Sequence, residues 1–334
     1  MRAVFVEGEN AVAVRDMAAP IADERAVVRV ERSGLCGTDL KILSGKIPVQ
    51  LPRVIGHEVI GRVAVAGSTG SPAVGTRVLV DPSASCGRCP TCRADRVHLC
   101  PHGALMGRDS DGGAAEFVAV HETQLHPVAD GIGEDDATMM QVLATCVHAQ
   151  ESVTVTAGQS AAVLGLGVAG FLHLQLLRLR GADPILAVTR AGWKRDLALE
   201  LGATAVVTPD DAPAATADMT DGLGVELAVE CAGTAHTLRQ AMLLAGIGGT
   251  VLVFGTTSPS ADDMPTYQWY YKELTIRNPR AARPRDYARA VRLAAGGSLE
   301  LGRLVTGTYP LADADKAFAA CRDPAQLKVA LTTE

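Results

Sequence analysis

Apolar residues in the first part of the chain fall in short runs broken by turn formers, at 26–31, 59–66, 77–80 and 115–120. That pattern predicts a β-rich segment up to about residue 150. From about residue 160 it changes: apolar runs of strand length at 160–164, 185–188, 205–208, 227–230 and 251–254 alternate with helical stretches, the signature of a parallel sheet. Residues 169–180 keep a continuous apolar face, and 193–201 are followed by Gly202, a residue type that commonly ends helices. Beyond about 277 the pattern is mixed, with helices expected near 286–295 and 312–322. The expected fold class is α/β: a β-rich domain with a doubly wound parallel-sheet domain inserted in it or appended to it.

At 334 residues, 48% of them hydrophobic and 20% charged, the chain can bury a sizeable core and falls outside the composition of disordered proteins. A formal net charge of -6 argues against a surface that collects phosphate backbones, so small molecules rather than nucleic acid are the expected partners. The first residues carry Arg2, Glu7 and Glu9 and lack the layout of a secretion signal. The longest apolar stretch, 161–172, is well short of the roughly 20 residues that span a bilayer. Four of the eight cysteines sit at metal-ligand spacing, which favours reduced thiolates. A cytoplasmic protein with no membrane segment is the expectation.

Cys86, Cys89, Cys92 and Cys100 form Cys-x2-Cys-x2-Cys-x7-Cys. Four thiolates so spaced can converge on one Zn2+ with no position left open, which suits a structural site that fixes a long loop. An iron–sulfur cluster can use similar ligands and stays open at this point.

Gly165-Leu-Gly167-Val168-Ala169-Gly170 follows an apolar strand and opens a helix. In that context the first glycine permits the tight turn, the second lets backbone approach a pyrophosphate, and the third lets helix and strand pack closely. The helix start offers free N–H groups and a positive dipole to the phosphates. NAD sites usually place an acidic residue about 20 residues further on. Here that place reads Val188-Thr189-Arg190, with Lys194 and Arg195 close by, a set that favours the 2'-phosphate of NADP(H) over NAD(H).

A third constellation is Cys36, Thr38 and Asp39 together with His57-Glu58. A thiolate, an imidazole and a carboxylate are the ligand types of a catalytic Zn2+ that keeps a position open for water or substrate. Thr38 also reads as a helix cap.

Together these features resemble the zinc-containing medium-chain dehydrogenase/reductase family over essentially the whole chain. The resemblance implies a GroES-like β-rich catalytic domain at 1–143 and 277–334 with a structural zinc lobe at about 84–102, and a Rossmann cofactor-binding domain at 144–276. It implies one catalytic Zn2+ on Cys36, His57 and Glu58 and one structural Zn2+ on the four cysteines. By the same likeness Thr38 passes a proton from substrate toward the cofactor ribose, Asp39 fixes His57, and the chain assembles as a homodimer or homotetramer. Two positions depart from better-known members. Lys41 stands where many have a relay histidine. Gln141 stands where polyol-dehydrogenase-like relatives carry a glutamate, so that water completes the tetrahedron and Gln141 hydrogen-bonds it.

The activity implied is hydride transfer between NADP(H) and a secondary alcohol or ketone, more of the polyol, sugar or cyclitol kind than of the ethanol kind. An aldehyde or ketone reductase of the same family and a catalytically silent cofactor-binding relative are the alternatives, and a nucleic-acid-binding zinc module is a third. One arginine among Arg277, Arg280, Arg283 and Arg285, which follow an aromatic run at 267–271, is a candidate for binding a substrate carboxylate or phosphate.

Overall fold

The alternating valines of Ala26–Gly34 make the strand around which the first sheet of the computed structural model is organised. Residues 1–67, 70–255 and 263–333 are described. The chain divides into one unit of Met1–Ala144 with Ala282–Glu334 and a second of Thr145–Ala281.

In the first unit, Ala26–Gly34 pairs antiparallel with Glu58–Val65, with Phe117–Val120 and with the C-terminal strand Lys328–Thr332. Arg77–Val80 and Leu125–Pro127 extend the sheet on one side and Val305–Pro310 on the other. Both chain ends therefore enter one sheet. Its buried face is a valine core of Val28, Val30, Val59, Val63, Val78 and Val80. An N-terminal hairpin, Arg2–Gly8 with Ala11–Asp16, forms a separate small sheet with Arg53–Val54.

In the second unit the strand order is Ala205–Val207, Ile185–Val188, Ala161–Leu164, Val225–Glu230, Ala245–Val253, Thr275–Arg277, all parallel. This is the doubly wound order of a dinucleotide-binding sheet, reversing beside Ala161–Leu164. The central strands are fully buried, as their unbroken apolar runs require. Helices Val168–Leu179 and Lys194–Glu200 lie within a residue of the pattern-based expectation, and Pro284–Ala295 and Ala314–Cys321 within two.

Two features escape the hydrophobic pattern: the N-terminal hairpin, and the helix Glu134–Glu151, which contains the boundary between the units. Among the described residues, no helix is long and apolar enough to cross a membrane.

Candidate metal centres and cofactor turn

The cysteine lobe is held at its base by the short ladder Ser83–Ala84 with Ala104–Leu105. Cys89 is the N-cap of the short helix Pro90–Arg93, and Cys92 lies within it. Sulfur–sulfur separations are 3.4 Å for Cys89–Cys92, 3.5 Å for Cys86–Cys100, 3.8 Å for Cys89–Cys100 and 4.0 Å for Cys86–Cys92. A tetrahedron of Zn–S bonds about 2.3 Å long has edges of about 3.8 Å, so the four sulfurs fit a single ion. They leave no room for the several irons of a cluster, which closes that alternative. None of the four forms a disulfide. The Thr91 hydroxyl, 2.9 Å from the Cys89 sulfur, is the main cause that holds that thiol down to about 6, while burial pushes Cys92 up to about 12. A divalent ion at the centre would deprotonate all four.

The second centre forms where two strand ends meet. Gly34 ends its strand opposite Glu58 in the ladder. Two residues later Cys36 caps the helix Gly37–Leu43, and Asp39, in the first turn, reaches back so that its Oδ2 accepts the Cys36 N–H at 2.8 Å. Asp39 Oδ1 lies 3.5 Å from His57 Nδ1. That commits one side of the imidazole and leaves Nε2 for an ion, the usual carboxylate–histidine–metal arrangement. Burial alone would lower the His57 pKa. The Asp39 carboxylate, with Cys36 beside it, more than reverses this and holds it well above the ordinary histidine value. The ligand atoms of Cys36, His57 and Glu58 all lie within 4.8 Å of one another.

Glu58 is shared. Its Oε2 accepts a hydrogen bond from Lys328 Nζ at 2.6 Å, and its buried Oε1 has no protein partner. Lys328 also donates to the Leu35 carbonyl at 3.2 Å. Burial opposes the charge of Lys328, but Glu58 and Cys36 outweigh it and raise the pKa of the ammonium. An ion bound by a neutral His57 and a Cys36 thiolate would leave three anionic groups, Cys36, Asp39 and Glu58, facing the Lys328 ammonium. The remaining charge is what a divalent ion would neutralise, and the orphaned Oε1 is a donor for it. Thr38 Oγ1 lies 3.9 Å from the Cys36 sulfur. Because Cys36 is the cap, the reading of Thr38 as a helix cap is wrong. Lys41 sits in the last turn of the same helix, where a cation complements the dipole.

The glycine turn leaves the end of Ala161–Leu164. Gly165 has φ of +95°, and a Cβ there would lie 2.8 Å from that of Ala232. A Cβ on Gly170 would strike the Gly165 carbonyl. Both glycines are demanded by packing. Gly167, the N-cap of Val168–Leu179, has nothing within 4 Å of a Cβ, so no protein neighbour requires a glycine there. That open space beside the first N–H groups of Val168 and Ala169 suits a phosphate.

Thr189 follows Ile185–Val188, and its hydroxyl accepts the Ala191 N–H at 3.2 Å. Arg190 is exposed. Lys194 Nζ donates to the Leu166 carbonyl, within the glycine turn itself, and Arg195 to the Val206 carbonyl, each at 2.8 Å. Of the three cations expected near a 2'-phosphate, two already hold carbonyls. The arginines proposed for substrate are similarly engaged: Arg277 with the Ser152 carbonyl at 3.3 Å, Arg283 with Asp286 and Arg285 with Asp95, each at 3.0 Å. Arg280 is exposed. Sequence reasoning missed Lys328, which lies 270 residues from its partner in a strand whose pattern reads only as apolar.

Residues 22–130 match the family model "Alcohol dehydrogenase GroES-like domain" and residues 168–296 the model "Zinc-binding dehydrogenase". The chain is 30% identical to 2-dehydro-3-deoxy-L-galactonate 5-dehydrogenase of Pseudoalteromonas atlantica over 90% of this chain and 89% of that protein. Among solved structures it is similar to one from Sinorhizobium meliloti, described as a zinc-binding dehydrogenase bound to NADP, with 34% identity, a TM-score of 0.92 and coverage of 99% and 98%. It is also similar to the alcohol dehydrogenase TADH of Thermus sp. ATN1, with 30% identity, a TM-score of 0.92 and coverage of 99% of each chain.

Proposed function

We propose from one premise, that the chain belongs to the zinc-binding alcohol dehydrogenases of the medium-chain dehydrogenase/reductase family, a more specific activity: hydride transfer between NADP(H) and a secondary alcohol or its ketone, the alcohol being a polyol or sugar derivative. The observation that carries this reading is the convergence of Cys36, His57 and Glu58 around one point, with the buried Glu58 Oε1 left without a protein partner.

A zinc ion there supplies a Lewis acid that lowers the pKa of an alcohol oxygen and polarises a carbonyl. The chain's own residues do the rest. Asp39 orients the His57 ring through Nδ1, and Lys328 holds Glu58 in place from behind. Thr38 takes the hydroxyl proton, with Lys41 or solvent beyond it. Gln141 offers a neutral hydrogen-bonding group where polyol dehydrogenases carry a carboxylate. Gly167, Val168 and Ala169 receive the cofactor pyrophosphate on backbone N–H groups. Arg190, beside Thr189 and with no carboxylate at this place, is the group for a 2'-phosphate. Lys194 and Arg195 shape that strand end through their carbonyl contacts.

The polyol or sugar assignment is supported by the sugar-acid dehydrogenase among the relatives and by Glu58 beside His57. Self-association through the second unit is part of the reading, supported by exposed Tyr267, Tyr270 and Tyr271 beside the edge strand Thr275–Arg277.

The test is a panel of polyols, sugar acids and simple alcohols, each with NADP+ and NAD+, followed by nicotinamide absorbance, with NADPH and NADH titrated in parallel. Turnover of a secondary polyol with NADP+ and tighter NADPH binding are expected. Turnover of simple primary alcohols alone, or tighter NADH binding, would overturn the substrate or the cofactor assignment respectively.

A further inference from the structure

The parallel sheet of the second unit reverses its winding between Ala161–Leu164 and Val225–Glu230, and dinucleotides lie across the carboxyl ends of strands at such a point. Glu230 ends its strand there, with Leu164 as ladder partner on one side and Val253 on the other. Its side chain is fully buried. A carboxyl group is costly to bury unless its oxygens find donors. One oxygen gathers three: Oε1 accepts the N–H groups of Ala232 at 2.8 Å and Gly233 at 2.7 Å and the Thr237 hydroxyl at 2.7 Å. Oε2 is buried and has no protein partner.

Thr237 extends the link into the helix Ala235–Leu244, where its N–H donates to the hydroxyl of the cap residue Thr234 at 3.1 Å. The Glu230 carbonyl takes up the next loop, accepting the N–H groups of Phe254 at 2.8 Å and Gly255 at 3.0 Å. These loops leave no space between them. A Cβ on Gly255 would strike the Gly233 nitrogen and lie 2.6 Å from Glu230 Oε2, and one on Gly165 would lie 2.9 Å from the Ala232 nitrogen. The turns after three neighbouring strands therefore stand in contact, and one side chain ties down the middle turn. A dinucleotide that sets its pyrophosphate on the glycine turn and its adenosine ribose beside Thr189 and Arg190 extends its nicotinamide half to the other side of that turn, over the loops at 231–234 and 254–255.

We propose that Glu230 is a positioning residue for the nicotinamide half of the cofactor: by holding Ala232, Gly233 and Thr237 on one oxygen it fixes the 231–234 loop against Gly165 and Gly255, and so sets the surface on which that half lies. The inference rests on the second unit taking NADP(H). Because a single oxygen does the holding, a glutamine can stand in for the glutamate and an apolar residue cannot.

The experiment titrates two probes, NADPH and adenosine 2',5'-bisphosphate, which carries the adenosine end alone, into the native chain, Glu230→Leu and Glu230→Gln. In Glu230→Leu the Kd for NADPH rises about 10-fold, the worth of one or two hydrogen bonds, while that for the bisphosphate changes less than about 2-fold. Glu230→Gln, which keeps an oxygen for the three donors, binds NADPH within about 3-fold of the native chain. Equal losses for the two probes would show general damage to the unit and overturn the proposal, as would unchanged NADPH binding in Glu230→Leu or a glutamine variant as weak as the leucine one. If Glu230→Leu does not fold, Thr237→Val takes its place, removing one donor at a partly exposed position. NADPH binding about 3-fold weaker with the bisphosphate unchanged is then expected, and any other pattern overturns the proposal. The native chain separates the two readings. If it binds both probes, failure of the variants sinks the positioning role alone; if it binds neither, the NADP(H) reading fails and the positioning role falls with it.

Discussion

Lys328 places its ammonium 2.6 Å from the Glu58 carboxylate, with the two side chains 4% and 1% exposed. A pair buried this completely is expensive to break from one side, because the survivor keeps its desolvation cost without its partner. Lys328→Met should therefore lower unfolding stability by about 3–5 kcal/mol in urea titrations, and the double variant Lys328→Met/Glu58→Gln should recover part of that. A loss below about 1 kcal/mol would mean that the pair behaves like an exposed one.

The cysteine lobe tests separately from the reaction centre. Cys89→Ser should remove one zinc ion per chain and lower the melting temperature, because the ion's binding energy is part of the lobe's folding energy. Metal analysis alongside calorimetry checks this, and full zinc content with an unchanged melting temperature would contradict a structural site.

Two glycines of one turn should behave differently when enlarged. Gly170→Val meets the Gly165 carbonyl and should cost about 1–3 kcal/mol of stability. The Cβ of Gly167→Val meets nothing within 4 Å, so stability should stay nearly intact, yet NADPH binding should weaken at least about 10-fold as the side chain fills the phosphate cradle. Retained NADPH affinity in Gly167→Val would move the cofactor elsewhere.

Much of this was legible in the chain itself. Strand-length apolar runs mark the parallel sheet because its central strands are buried on both faces, and the four cysteines announce their site because every ligand lies in one loop. The helix Glu134–Glu151 was not legible: it is buried almost all round, so no polar face alternates with an apolar one. Its acidic first turn, Glu134, Asp135 and Asp136, was the available signal. Lys328 was hidden for another reason: its partner Glu58 lies 270 residues away in sequence, and only the closure of both chain ends into one unit brings them together.

One buried histidine of the second unit, His173, gives a pH dependence. His173 is fully buried, and burial lowers it from 6.5 to about 3. A depressed histidine contributes stability above its unfolded value and loses it as pH falls toward the folded one. The native chain should thus lose stability from pH 6.5 down toward 3, and His126, lowered to about 4 by burial, adds to the loss. Asp81, raised to about 7 by burial, acts oppositely, losing stability as pH rises from 3.8 toward 7. Denaturant midpoints across this range should show a shallower acid limb for His173→Leu, by up to about 1.4 kcal/mol per pH unit. Superimposable limbs would mean that His173 is not held neutral.

The central claim is that Cys36, His57 and Glu58 hold the ion at which the reaction occurs. Zinc content, NADPH affinity and turnover measured together on Cys36→Ala test it most directly. The account predicts one zinc ion fewer per chain, unchanged NADPH binding and no detectable hydride transfer. A variant that keeps its full zinc and still turns over a polyol would contradict it.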